Sequence, residues 1–431
     1  MSLAFLLCLL VLFGLAAMGA PIGYALLVAA IAYLGASGQD LALAAEQLIQ
    51  GLYDSFVLLA VPLFIVAANI MNAGTVSDRL LKFCVAVVGR FRGGLGHVNI
   101  AASLIFSGMS GSAVADAAGI GKIIIEMMVK TGSYTRGYAA AITAASATIG
   151  PVIPPSIPMV IYALVSGQSI GYLFLAGIGP GLLMALSLAV LNAGLARRRG
   201  FATEEPVPLA RMPQVTARAF PALMMPVILL TGIYGGVTTP TEAAAVAALY
   251  ALLLASLVYR ALTAGGLFTI FAHSARQAAT VGIVIGGALI FNYIVATENI
   301  PRSLGALIEG TELSPLVFLL LVNLLLLLLG CVLDATTIIL VIVPLFLPAC
   351  AALGIDLVHF GVVAIVNCMI GLITPPYGIL LFVINAVTGI PLREIIGEIL
   401  PFFLALLVAL GILILFPDLT LWLPRQFGYQ G

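Results

Sequence analysis

A polytopic all-α membrane protein with a duplicated core is the fold class this sequence predicts, and three observations carry the prediction. Of 431 residues, 63% are hydrophobic and 8% charged, with a mean hydropathy of +1.24, whereas a soluble domain carries about a quarter charged residues. Apolar blocks near the length of one membrane crossing recur from end to end. Finally, the stretch Ser107 to Pro158 opens with S-G-M-S-G-S-A-V-A-D and closes with I-G-P-V-I-P-P-S-I-P, and a weaker copy occupies Gly330 to Gly378. An unpaired backbone group in lipid costs several kcal/mol, so Gly/Pro/Ser-rich backbone at that depth must line a cavity. Two such broken elements at matching places in two halves point to a transporter's binding site.

Taken in order, Leu3–Ala20 and Ile22–Leu34 are apolar segments separated at Pro21. The first lacks a basic n-region, since the first basic residue is Arg79, and it reads as a retained membrane helix rather than a signal peptide. Ser37–Gly51 and Thr75–Phe91 mix charged and apolar positions and are expected to lie in the interface, with a crossing at Tyr53–Asn72 between them. Val98–Phe106 is too short to span; it leads to a Gly/Ser break at Ser107–Ser112, and the helical pattern resumes from Ala113 to Met128. That is a re-entrant hairpin. Ala139–Val165 holds Pro151, Pro154, Pro155 and Pro158, which remove backbone donors and divide one crossing into two half-helices. Tyr172–Leu195 completes the first half, stopped by Arg197, Arg198 and Arg199.

The second half repeats this order: Phe220–Tyr234, Pro240–Leu257, Gly266–Val295, an interfacial piece at 302–311, a hairpin over Leu316–Leu353, a broken crossing over Phe360–Val387 and a last helix, Ile395–Phe416. Pro21 pairs with Pro240, Phe64 with Phe291 and Gly150 with Gly371, a nearly steady offset that supports internal duplication. The boundaries are a first repeat over 1–196 (hairpin 97–131, broken helix 137–166), a cytoplasmic linker over 197–217, a second repeat over 218–417 (hairpin 313–353, broken helix 357–387) and a tail over 418–431. Five crossings, one of them broken, plus one hairpin per half require the copies to be inverted. Arg79, Lys82, Arg90, Arg92, Arg136, Arg197 to Arg199, Arg211, Arg218, Arg260 and Arg393 then share one face, cytoplasmic by the positive-inside rule, with Arg302 and Arg425 as exceptions. Both termini come out on the opposite side.

Several function classes find no support. The runs do not alternate as a β-barrel would, as Leu316–Leu329 shows. No serine-histidine-acid set, phosphate loop or zinc motif is present, so neither an enzyme nor a nucleotide-driven pump is expected. Cys8, Cys84, Cys331, Cys350 and Cys368 read as packing residues, and His97, His273 and His359 are isolated. Lys122 and Glu126, four apart, suggest an intrahelical ion pair, and Thr239-Pro240-Thr241-Glu242 a capping box. Arg276, unpaired in sequence, reads either as a snorkelling residue or as one with a substrate role.

A cation bound without water needs about six oxygens, which unwound carbonyls and hydroxyls can supply. In the first half the candidates are Ser107, Ser110, Ser112, Gly150, Ile153 and Ser156; in the second they are Gly330, Asp334, Thr336, Thr337, Gly371 and Thr374. Helix N-termini near Ala113 and Ala335 would turn partial positive charge toward an anion, whose contacts are placed at Ser112, Ala113, Pro154, Pro155, Ala335, Pro375 and Pro376. The competing interpretation is close helix crossing at small residues with a Pro kink and no ligand. Asp116 and Asp334 are intramembrane carboxylates that read either as charge near the cation or as N-terminal helix charge stabilising the hairpin, with the structural role favoured for Asp116 and mixed roles for Asp334.

The run S-G-M-S-G-S-A-V-A-D-A-A-G-I-G, the breaks G-P-V-I-P-P-S and T-P-P-Y-G, and the cap T-P-T-E-A-A-A-V resemble the large membrane subunit of tripartite ATP-independent periplasmic (TRAP) transporters across essentially the whole chain. That resemblance implies sodium-coupled, binding-protein-dependent import of organic anions, usually carboxylates, across a bacterial or archaeal cytoplasmic membrane. It also implies an elevator-type transport domain built from the hairpins and broken helices. The implied partners are a small four-helix membrane subunit and a periplasmic substrate-binding protein, expected as separate polypeptides, with lipid around the chain and no nucleic acid. The sodium sites it implies fall on the tip and Pro-break residues named above; the second half departs in carrying Asp334-Ala335-Thr336-Thr337 where the first has a Ser/Gly tip. A stand-alone divalent-anion/sodium symporter is the alternative in the same class.

Overall fold

The computed structural model describes residues 2–72, 75–201, 203–204, 207–309 and 313–431, whose regular structure is all helical, with no strand. The first helix, α1 (Leu3–Ala17), begins where the Ser2 hydroxyl accepts the Phe5 N–H at 3.1 Å, and α2 (Ile22–Ser37) follows Pro21 and stops at Gly38, whose φ of +69° ends the helix in the left-handed region. Next, α3 (Ala42–Asp54) and a 3₁₀ turn (Phe56–Leu59) lead into α4 (Ala60–Asn72), and α5 (Thr75–Val88) follows.

The first hairpin consists of α6 (Gly94–Ser110), a turn at Gly111 and Ser112, and a second arm in which α7 (Ala113–Asp116) and α8 (Lys122–Lys130) flank a π-turn at Ala117–Gly121. Here the structure corrects the expected break. Helix α6 runs unbroken through Ser107, whose hydroxyl donates to the Leu104 carbonyl at 2.5 Å. The small residues serve close packing instead: a Cβ on Gly108 would lie 2.6 Å from the Pro226 ring. Residues 148–156 then separate α9 (Arg136–Ala147) from α10 (Ile157–Ser166), and α11 (Ile170–Arg199) closes this half.

The second half runs α12 (Met212–Tyr234), α13 (Pro240–Leu253, extended by a π-turn to Val258), α14 (Ala264–Thr297) and α15 (Ile300–Glu309). The second hairpin is α16 (Pro315–Gly330), a turn at 331–334, α17 (Ala335–Thr337), a π-turn at Ile338–Ile342 and α18 (Val343–Ala352). Residues 372–378 interrupt α19 (Leu357–Gly371) and α20 (Ile379–Thr388), and α21 (Leu392–Leu415) and α22 (Asp418–Gln426) end the chain. The hairpins' π-turns begin at 117 and 338, and the Pro-Pro bonds, both cis, fall at 154–155 and 375–376, each pair 221 positions apart.

Six continuous helices among the described residues are long and apolar enough to cross a membrane: those at 170–199, 212–234, 240–258, 264–297, 335–352 and 392–415. Two packing groups are evident. Helices α1, α2, α4, α5, α12, α13 and α14 pack on one another, while α9 and α11 pack on α21, α16 on α19, and α22 on α11. The expected linker is shorter than 197–217 because α11 continues to Arg199 and α12 begins at Met212. The expected tail holds a helix, docked where the His359 ring meets the Thr420 hydroxyl at 2.8 Å. Glu242 forms the predicted capping box with Thr239. Lys122 and Glu126 do not pair: the two salt bridges among the described residues are Arg199–Glu398 and Arg425–Asp418, and both Lys122 and Glu126 point outward, exposed.

Candidate functional site

At the first tip, Gly111 adopts a φ of +58°, and a Cβ there would sit 2.5 Å from the Pro155 carbonyl, so only glycine lets the turn reach the Pro-rich break. Ser112 is extended and caps the second arm, its hydroxyl accepting the Ala115 N–H at 3.4 Å. One turn further, Asp116 is 1% exposed; its Oδ1 accepts the Ser110 hydroxyl at 2.5 Å, and its Oδ2 has no partner. That free oxygen faces Gly150, where a Cβ would come within 2.6 Å of it. Ser110, Asp116 and Gly150 therefore meet, although they come from three separate segments. A buried carboxylate with an unpartnered oxygen requires a proton or a cation. Ser156 caps α10 through the Met159 N–H at 3.2 Å, and its hydroxyl donates to the Pro151 carbonyl.

The second tip is built differently. Asp334 itself is the cap: Oδ2 accepts the Thr337 N–H at 3.3 Å and Oδ1 the Thr337 hydroxyl at 2.5 Å. The Thr374 hydroxyl donates to the Ile370 carbonyl at 2.8 Å, while its own carbonyl accepts the Cys331 thiol at 3.7 Å. Gly330 and Gly371 bring two backbones together, since a Cβ on Gly371 would lie 2.7 Å from the Gly330 Cα. Comparable polar ties hold each hairpin to its broken helix. Asn99 donates to Thr143 at 2.6 Å and accepts from Ser146 at 3.0 Å, while Asn367 donates to the side chain of Asn323 at 2.7 Å.

Both tips open on one cavity of about 360 Å³. Of the residues predicted from sequence, Ser110, Ser112, Ala113, Asp334, Ala335 and Thr336 line it. Ser107, Gly150, Ile153, Ser156, Gly330, Thr337, Gly371, Thr374 and the four prolines Pro154, Pro155, Pro375 and Pro376 stand behind that lining or in the flanking breaks. Three polar lining residues escaped the sequence reading: Asn69 on α4 and Gln277 and Thr280 on α14. Asn69 donates to Gln277 at 2.8 Å and to Ser274 at 2.9 Å, tying α4 to α14 across from the tips. For Asn69 and Gln277 the signal is a side-chain amide within an apolar helix, an expensive residue at that depth unless it has work there. Asp334 and Thr336 also border a second cavity of about 310 Å³ that reaches Pro21–Tyr24. The wall at the tips thus offers hydroxyls, a carboxylate and the first N–H groups of two helical runs, a donor set suited to a cation beside an anion.

The profile of the family described as Tripartite ATP-independent periplasmic transporter, DctM component, matches residues 9–419. The chain belongs to this family. It is 43% identical over 418 residues to the sialic acid TRAP transporter large permease protein SiaM of Vibrio cholerae, covering 96% of this chain and 97% of that one. It is 40% identical to the C4-dicarboxylate TRAP transporter large permease protein DctM of Pseudomonas aeruginosa, covering 87% and 88%. Against the sialic acid TRAP transporter permease protein SiaT of Haemophilus influenzae it is 35% identical over 98% of its own length but 68% of the relative's. Among solved structures, the Alcanivorax borkumensis YdaH transporter is similar in fold, with a TM-score of 0.64 and 16% identity, covering 86% of this chain and 87% of that one. Membership of the DctM component family makes this a multi-pass membrane transport protein and not an enzyme.

Proposed function

We propose that this chain is the large permease subunit of a sodium-coupled, binding-protein-dependent importer of a small carboxylate, resident in a bacterial or archaeal cytoplasmic membrane. The cavity shared by the two hairpin tips is the observation that carries the proposal, because it gathers residues from both halves of the chain around one space. Substrate names among the relatives, sialic acid and C4-dicarboxylate, support an anionic carboxylate. The helix starts at Ala113 and Ala335 orient the anion, with Ser112, Thr336 and the neighbouring Pro-Pro segments shaping its pocket. One sodium ion is assigned to the Ser110–Asp116–Gly150 corner and another to Gly330, Asp334, Gly371 and Thr374, the remaining candidate oxygens completing each shell.

The matched hairpins, π-turns and breaks at a spacing of 221 support two inverted repeats. The packing of α9, α11, α16, α19 and α21 apart from α1, α2, α4, α5 and α12–α14 supports elevator-like motion of the first group against the second. The family description is tripartite, and about a third of SiaT lies outside the part this chain matches, which supports a small four-helix membrane subunit and a soluble binding protein as partners. Uptake into liposomes containing this chain and its small subunit, with binding protein loaded with candidate carboxylates, tests the proposal. It requires flux that depends on both the inward sodium gradient and the binding protein. Flux with sodium alone would make the chain a stand-alone symporter, and flux indifferent to sodium would overturn the cation assignment.

A further inference from the structure

A third concavity, about 630 Å³, lies away from the tips, between α5, α6 and α11. It has the shape and polarity of an amphiphile. On α11 the stripe Leu182, Leu186, Ala189, Ala193 and Arg197 follows helical spacing and turns from apolar to cationic at its last member. On α6 the stripe from Leu104 back to His97 changes in the same direction, and Arg92 joins the polar end. From Leu182 to Arg197 is fifteen residues, about 22 Å of helix, which equals half of a bilayer of about 40–45 Å measured with its headgroups. Leu182 and Leu186 are 51% and 60% exposed, so the trough is open to its surroundings along its apolar length. Among the described residues the cations at its mouth have no acidic partner: Arg199 is paired with Glu398 at 2.8 Å, but no described carboxylate lies within 4 Å of the Arg92 or Arg197 guanidinium.

We propose that this trough binds one anionic glycerophospholipid, its phosphate held by Arg92 and Arg197 and one acyl chain lying along Leu104 and Leu186. Charge complementarity at the mouth and a trough of one leaflet's depth select a lipid over a soluble anion. By the positive-inside rule the leaflet is the cytoplasmic one. The lipid would touch α6, the arm that continues into the first tip, and would fill a seam between the two packing groups.

Native mass spectrometry of the full-length chain, delipidated in detergent and titrated with phosphatidylglycerol or phosphatidylethanolamine, tests this. One retained phosphatidylglycerol per chain is expected, in preference to phosphatidylethanolamine. The double variant Arg92→Ala with Arg197→Ala removes two exposed side chains and leaves packing intact; it should weaken retention about tenfold or more. Ala189→Phe, which fills the trough and keeps both charges, should weaken it as well, and the Arg→Lys pair should largely restore it. Equal retention of the two lipids, or retention unchanged in both the charge and the filling variants, would overturn the proposal. Displacement by glycerol 3-phosphate at the same concentration as the lipid would assign a soluble phosphate site instead and would equally overturn it.

Discussion

The two hairpin tips share a backbone plan and differ in where they carry negative charge. Each has an arm, a short turn, an N-cap, one helical turn and a π-turn. In the first the cap is the neutral Ser112, and the carboxylate of Asp116 is one turn deeper, buried, with an oxygen free. In the second the carboxylate is the cap, and both Asp334 oxygens are engaged by Thr337 at the cavity wall. One plan thus supports a sequestered charge in one half and a cavity-facing charge in the other. Under the proposed function, the first carboxylate would hold its sodium ion behind the tip and the second would hold its own at the cavity wall.

The largest effect is expected at the left-handed glycine that only the first tip's turn has. Gly111→Ala meets both a left-handed φ and the Pro155 carbonyl, so it should destabilise the chain by about 2–4 kcal/mol and abolish uptake, read by thermal unfolding in detergent and by transport. A wild-type melting curve for that variant would show that the tip and the break are not in fixed contact. The next test divides the two carboxylates. Asp116→Asn should raise the sodium concentration for half-maximal uptake by about tenfold or more. Asp334→Asn preserves a good cap, so it should leave stability unchanged and raise the sodium requirement less than Asp116→Asn does, because Asp334 faces the open cavity and Asp116 is buried. Identical sodium shifts for both variants would erase the distinction drawn here.

Cap loss should then give nearly equal, smaller costs at both tips. Ser112→Ala and Asp334→Ala are each expected to lose about 1 kcal/mol of stability, and a much larger loss at Asp334 would mean that its interactions reach beyond capping. The smallest effect is a pH control at the periphery. Hydrogen bonds from the Ser2 hydroxyl and N–H, and from Tyr33, hold the Glu298 carboxyl below the usual glutamate range. A depressed folded-state pKa contributes stability that is present above the unfolded value and lost as pH falls through the lowered one. Acidification below about pH 4 should therefore loosen the α1–α14 contact, and Glu298→Gln should flatten that part of the stability profile.

Much of this was legible because glycine and proline act locally. The Pro155 region, Gly111, the Thr239 cap and the order of elements in each half follow from residue chemistry that neighbours cannot overrule. What escaped depended on partners distant in sequence. Ser107 reads as loop in a Gly/Ser run, yet its hydroxyl is satisfied within the helix and Gly108 is small because Pro226 lies against it. Asn69 and Gln277 carry no local signal of facing each other across 208 residues of chain. Sequence alone leaves Asp116 between a support for its hairpin and a charge near a cation, favouring the support, and the approach of Gly150 shows which segment its free oxygen faces.

The meeting of Gly330 and Gly371 also limits how this sequence can drift over generations. Ordinary core contacts tolerate change by exchanging volume, one side shrinking as the other grows. Here neither side has any volume to give, so a methyl group added at one position has no compensating substitution at the other. Residues around the second break can vary in pairs, but these two can change only if the backbones they join move apart.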